Sequence, residues 1–191
     1  MKFSLGDVKE YIDSAIVKKI QRAIFHDTLK LRGRVTVTVK HPDGTSKVLC
    51  DKKDNLFTED GIDYILLSIY KSAASYSTPA TFIAVSADPG GVTEGDSTLA
   101  GEIKTGGLKR VAATTKGDHT TGSNESVTEH TFEATAVHTN VHKAALHTKD
   151  LDNAGNPVVG DIMINAAVFN ADETLQIGSQ LTVKWTIQLG S

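Results

Sequence analysis

The chain has 191 residues, 39% of them apolar and 23% charged, with a formal net charge of −3. That length holds one full domain, and the small negative charge excludes a non-specific nucleic-acid binder, which needs a strong basic excess. No apolar run reaches the ~18 residues of a membrane span, the N-terminal MKFSLGDVKEY lacks the apolar core of a signal peptide, and the single cysteine, Cys50, excludes an internal disulfide framework.

Residues 6–31 differ from all that follows. Val8, Ile12, Ala15, Ile16, Ile20, Ala23 and Ile24 recur at steps of three and four, the period of an amphipathic helix. Gly33 is the expected stop just after Leu31. The chain is therefore expected to divide into a helical docking or oligomerisation segment, 1–33, and a β-sandwich domain, 34–191. The stripe Val8, Ile12, Ile16, Ile20 and Ile24 is the candidate docking surface; packing on its own sandwich is the plainer alternative.

Arg34–Lys40 alternates valine with threonine and reads as a strand. His41-Pro42-Asp43-Gly44 is turn chemistry, with Ser46–Cys50 returning as the second arm of a hairpin. Cys50, after Val48 and Leu49, suits a small buried hydrophobe. Asp51–Asn55 reads as a polar connection. Thr58 is a good helix N-cap, Glu59 and Asp60 suit the positive helix start, and Ile62, Ile65, Leu66, Ile69 and Tyr70 form a face running to about Ala74. Gly61, in the first turn of that helix, argues against it.

Phe82–Ser86 is a short apolar strand, and 88–95 is a loop rich in Gly and Pro. Asp96 or Ser97 is placed to cap one helical turn through Leu99 and Ala100. Leu108–Ala113 is the next strand. Thr114–Ser126 has no large apolar residue and reads as a long exposed loop or hairpin tip. Val127–Val137 and Val141–His147 read as neighbouring strands joined at Thr139-Asn140. Lys149–Pro157 is a second polar loop. Ile162–Phe169 is apolar on both parities, as in a strand covered on both faces. Asp172–Ile177 and a Gly178-Ser179 turn lead to the closing strand. There Leu181, Val183, Trp185, Ile187 and Leu189 alternate with Thr182, Lys184, Thr186 and Gln188. The count is seven to nine strands, and the expected fold is mainly β: an antiparallel, jelly-roll-like sandwich with a long N-terminal helix and one further helix packed on it. Phe82, Leu99, Ile103, Leu181, Val183, Trp185 and Ile187 are its expected core.

Catalytic patterns are lacking. There is no GxSxG elbow, no Walker phosphate loop, no HExxH and no CxxC. The histidines His119, His130, His138, His142 and His147 cluster in sequence, with His26 and His41 apart. On one straight strand His138 and His142 stand ~13 Å apart, too far to share a metal unless the chain bends at Asn140. Asp150, Asp152, Asn153 and Asn156 offer oxygen ligands for calcium, but Leu151 and the missing terminal Glu break the EF-hand pattern. No metal, cofactor or catalytic residue is expected.

Several segments follow one another in a recognisable order. Asn55-Leu56-Phe57-Thr58-Glu59-Asp60-Gly61 leads into the helix to Tyr70. Phe82-Ile83-Ala84-Val85-Ser86 and Gly95-Asp96-Ser97-Thr98-Leu99-Ala100-Gly101-Glu102-Ile103 follow, with Arg110 soon after. Lys143-Ala144-Ala145-Leu146 and Ser179-Gln180-Leu181-Thr182-Val183-Lys184-Trp185-Thr186-Ile187 come last. This order resembles a loosely defined group of small β-sandwich structural proteins from tailed viruses of bacteria and archaea, with its NLVT-x-x-G helix, YIAxG strand, GDTxLxxEI turn and closing LTVTWTI strand. The likeness covers residues 34–190. Phe82 stands for Tyr, Ser86 for Gly, and Lys143-Ala144 where an acidic residue and Gly are common.

The resemblance implies a non-enzymatic component of a virion, self-associating and docked on a capsid or tail. Its partners would be copies of itself, a trimer first and a pentamer or hexamer next, and the major capsid or tail proteins, with no nucleic acid or membrane. A tail-fibre or baseplate subunit is the alternative within that class. A carbohydrate-binding module for host recognition is the alternative outside it, disfavoured by an aromatic content of 6% and by a Trp185 committed to a core face. An enzyme ranks third.

If the N-terminal stripe docks the protein, deleting residues 1–31 leaves a folded body that no longer joins particles. Occupancy measured by quantitative mass spectrometry of purified particles is the readout, and undiminished occupancy removes the role.

Overall fold

The computed structural model describes residues 31–70, 79–120 and 123–189. Ten strands and one helix follow one another as β1 (Leu31–Lys40), β2 (Ser46–Asp54), β3 (Leu56–Phe57), α1 (Glu59–Tyr70), β4 (Phe82–Ser86), β5 (Val111–Ala112), β6 (Thr115–Asp118), β7 (Glu125–Glu133), β8 (His138–His147), β9 (Met163–Leu175) and β10 (Gln180–Leu189). They form two five-stranded antiparallel sheets, ordered β2-β1-β10-β7-β6 and β3-β9-β8-β4-β5.

Alternation explains how the sheets meet. Val35, Val37 and Val39 of β1, Phe132 of β7 and Leu181, Val183 and Trp185 of β10 join one buried cluster with Ile83, Val85, Ala144, Leu146, Ala167 and Phe169 of the second sheet. β10 lies at the centre of its sheet, between β1 and β7, and Trp185 is 0% exposed. The alternation frays at its end: Ile187 is half-buried and Leu189 is 45% exposed. Phe82 is half-buried, and Cys50 is buried. Leu99 and Ile103 serve different clusters. Ile103 packs against the inter-sheet core, whereas Leu99 joins Ala84, Ala145, Met163 and Ala166, on which Val92 also packs. The segment 87–103 is thus a strap, and it supplies the second cover that the apolar run of β9 needs.

The expected fold class needs correction. Among the described residues the structure is mainly β, two antiparallel sheets with a single short helix, and no long helix is among them. Residues 6–30, including Val8, Ile12, Ile16, Ile20 and Ile24, lie outside the described residues. Leu31, the expected last residue of that helix, and Gly33, its expected stop, both lie in β1, paired with Leu189 and Ile187. The boundary drawn at residue 33 therefore falls inside a strand. The physical reason is local: Gly33 faces inward, where an added Cβ would lie 2.0 Å from Asn55 Oδ1. Its missing side chain makes room for a neighbour rather than ending a helix.

Other boundaries move for similar reasons. β2 runs on to Asp54, with Lys52 at φ 46° in a bulged pairing with β1. Asn140 is not a hairpin turn but a positive-φ residue inside β8, where the register with β9 shifts. β7 and β8 join through 134–137 and belong to different sheets. β9 continues through Asp172 to Leu175 as one strand of 13 residues. Asp96 accepts hydrogen bonds from Thr93 N and Oγ1 at 2.8 and 2.9 Å and closes a turn behind itself instead of capping a helix ahead.

Thr58 caps α1, its Oγ1 accepting from Gly61 N at 3.0 Å. The same hydroxyl donates to the Met163 carbonyl of β9. The buried side of α1 carries Gly61 and Tyr64, while Ile62 is 40% exposed, so the helix is rolled away from the face its periodicity suggests. Gly61 causes this: an added Cβ would stand 2.1 Å from the Ile164 carbonyl oxygen. Gly61→Ala should therefore destabilise the fold by ~1–3 kcal/mol, although alanine is the better helix former by about 1 kcal/mol. Urea denaturation checks the sign.

Candidate functional site

The densest chemistry is a buried ionic cluster at one end of the second sheet. Arg110 stands just before β5, Glu102 closes the strap, Asp161 precedes β9, and His147 ends β8. The Arg110 side chain is 0% exposed, and those of Glu102 and Asp161 are 5% and 4%. Such a guanidinium must have its charge and its donors met. Nε and Nη2 donate to the two oxygens of Glu102 at 2.9 and 2.7 Å, the paired geometry that suits a planar fork. Nη1 donates to Asp161 Oδ2 at 2.5 Å and to the Lys149 carbonyl at 3.0 Å. Asp161 Oδ1 accepts from Lys149 N at 3.1 Å.

His147 Nδ1 lies 3.0 Å from Asp161 Oδ2. Burial pushes the imidazole below its ordinary 6.5, against the pull of Asp161. The ring is therefore neutral at pH 7; the contact assigns its proton to Nδ1, leaving Nε2 bare. Burial on its own would raise the Asp161 carboxyl, but the His147 hydrogen bond and the Arg110 guanidinium outweigh it and hold the group at about 2. A carboxylate orienting an imidazole is also the base half of a hydrolytic triad. Here the other ring nitrogen, Nε2, is buried without a hydrogen-bond partner. Among the described residues no hydroxyl or thiol lies within hydrogen-bond reach of it, and neither of the grooves described below is lined by His147 or Asp161.

Around this cluster the strap is latched at several points. Ser86 Oγ donates to the Ala100 carbonyl at 2.5 Å, Ile103 N to Val85 O at 2.9 Å and Glu59 N to Glu94 O at 2.8 Å. Lys143, with a side chain 1% exposed, reaches Asp88 Oδ2 at 2.5 Å, and this contact lowers the Asp88 carboxyl below its ordinary range.

The six histidines described each have a separate partner. His41 faces Glu173 and His142 faces Asp172, while His119 and His130 meet Glu125 O and Thr114 Oγ1 at 2.9 and 3.0 Å. His138 Nε2 lies 3.0 Å from the Gly106 carbonyl. His138 and His142 both lie on β8 and share no partner. Among the described residues no three His, Cys, Asp or Glu side chains gather as a metal site. Asp152 Oδ1 is engaged by its own turn, accepting from Ala154 N and Asn156 N at 2.9 and 2.7 Å. Two shallow grooves lie among the described residues. One, of about 600 Å³, lies between the β1–β2 turn (His41, Pro42, Asp43, Thr45) and the end of β9 (Thr174, Gln176). The other, of about 260 Å³, is lined by Lys109, Arg110, His130, Phe132 and Glu133 among others.

Glu102 and Arg110 belong to the ordered segments noted in the sequence; Asp161 and His147 as a pair were missed. The available signal was an isolated Arg110 in the apolar run from Leu108 to Ala113, which demands an anion from somewhere. Asp161 is 51 residues away in sequence, so no spacing rule reveals it.

Arg110→Met leaves two buried carboxylates facing each other and should cost ~3–5 kcal/mol by chemical denaturation. Stability should also fall on acidification. The unfolded chain takes up protons near pH 6.5 that buried His147 and half-buried His130 refuse, so stability rises with pH through that region. His147→Gln should keep only the part of this slope that belongs to His130. Asp161 contributes about 2 kcal/mol that is present above its ordinary 3.8 and lost as pH falls toward about 2.

Comparison of the chain with protein-family models, with characterised proteins and with solved structures finds no match.

Proposed function

We infer that this protein is a structural component of a tailed-virus particle, a β-rich body that self-associates and docks on a capsid or tail. One observation carries the reading. Residues in each of the better-defined segments through which the sequence resembles that group serve closure of the sheets. Thr58 and Gly61 seat α1 on β9, Leu99 plugs the outer cluster, Glu102 pairs with Arg110, and Leu181, Val183 and Trp185 fill the core. None of them lines the larger groove, and only Arg110, its side chain 0% exposed, borders the smaller one. An enzyme of this size would need polar groups converging on a cavity, and the densest polar cluster described lies buried beneath a latched strap. The carbohydrate-binding alternative loses its one indole, because Trp185 is 0% exposed.

The test is the composition of the particle. Peptides of this chain should be present in purified virions at many copies per particle, with density for two five-stranded sheets in a map of the capsid or tail. Peptides found only in the lysate of infected cells, and never in particles, would overturn the assignment.

A further inference from the structure

Among the described residues the two sheets differ in what covers their outward faces. The strap and α1 lie on the second sheet, whereas the outward face of the first is a polar surface sorted by charge. β1 presents Arg32, Arg34 and Lys40 there, and β7 presents Glu125, Glu129 and Glu133. Between them β10 presents Gln180, Thr182, Lys184, Thr186 and Gln188.

The pairing registers arrange these side chains in rows. Arg32, Gln188 and Glu125 form one row, Thr36, Lys184 and Glu129 another, and Lys40, Gln180 and Glu133 a third. Each outer row thus has a cation at its β1 end and a carboxylate at its β7 end, about 10 Å away across one strand. Arg34 has Asp54 at 3.7 Å. Among the described residues Arg32, Lys40, Lys184, Glu125, Glu129 and Glu133 have no ion-pair partner within 4.0 Å.

We propose that this face binds the same face of a second copy, about a two-fold axis running along β10. Rotation about that axis turns the face over, exchanges its β1 and β7 sides and preserves height along the strand. Arg32 then meets Glu125 of the second copy, and Lys40 meets Glu133 of the second copy. Each contact occurs twice, as an isologous interface requires. Lys184 falls near the axis, where the Glu129 beside it in each copy offsets repulsion between the two ammonium groups. The small threonines Thr36, Thr38, Thr131, Thr182 and Thr186 leave the middle of the face low enough for close approach. The patch measures roughly 30 by 20 Å, about 600 Å² per copy, which reaches the lower end of specific protein interfaces. The inference rests on this face alone and holds whether or not the protein is a virion component.

Sedimentation equilibrium of the full chain tests it. In ~50 mM salt the protein should be a dimer, with a Kd that rises at least about tenfold in ~1 M salt as the ion pairs are screened. Lys40→Glu and Glu133→Lys each place two like-charged contacts in the dimer and should each raise Kd about tenfold or more. Both positions are exposed, so thermal unfolding of the two variants should match the parent. Mixing the two variants should restore dimers, because each mixed pair contains one native and one reversed contact, both attractive. A monomer at ~100 μM in low salt, a trimer or higher oligomer, an unchanged Kd in either variant, or no recovery on mixing overturns the proposal.

Discussion

A guanidinium with no exposure to solvent organises one whole end of this protein. Arg110 brings its charge into the interior, and only carboxylates placed against its fork make that tolerable. Glu102 meets the demand from the strap, and Asp161 meets it from the loop before β9. The Lys149 carbonyl takes a further donor, and His147 meets the same Asp161 oxygen, Oδ2, that Arg110 reaches. Three stretches distant in sequence are held at one point, and removing any partner would leave a buried charge behind. The strap is held there as well as by its backbone bonds, so the apolar cover that Leu99 and Val92 provide for the second sheet depends on an ionic contact some residues away.

This arrangement gives the two outward faces different characters. The second sheet is closed by the strap, with small residues, Ala84, Ala145 and Ala166, beneath Leu99, and by α1, which approaches β9 closely because residue 61 has no side chain. The first sheet carries threonines and segregated charges on its open side. The charged groups follow the same division: those in the cluster are paired inside the protein, whereas Arg32, Lys40, Glu125 and Glu133 on the open face have no ion-pair partner within 4.0 Å among the described residues.

The strands were legible wherever one face is buried and the other wet. β1 and β10 read directly from their alternation, because a one-residue slip would turn Val35, Val37, Val39, Leu181, Val183 and Trp185 outward. The capping role of Thr58 was legible because a cap is a local hydrogen bond. Gly33 and Gly61 were misread for one shared reason. A glycine looks like a breaker in one dimension, and only a neighbour at 2.0 or 2.1 Å shows it to be a close-packing residue. Asn140 misled in the same way, as a bulge inside β8 offers the same residue type as a turn between strands.

By itself, then, the sequence determined the β class, the buried closing strand, the first hairpin and the inward register of the main strands, since each follows from periods of two or from hydrogen bonds between near neighbours. Tertiary structure decided which sheet each strand joins, that β7 and β8 part into different layers, and that Leu31 and Gly33 belong to a strand. It also decided that Arg110, Glu102, Asp161 and His147 converge and that the charges of β1 and β7 fall into common rows across β10. Most of those outcomes depend on contacts between residues tens to more than a hundred positions apart, where the energy comes from burial and charge neutralisation in three dimensions and leaves no periodic trace along the chain.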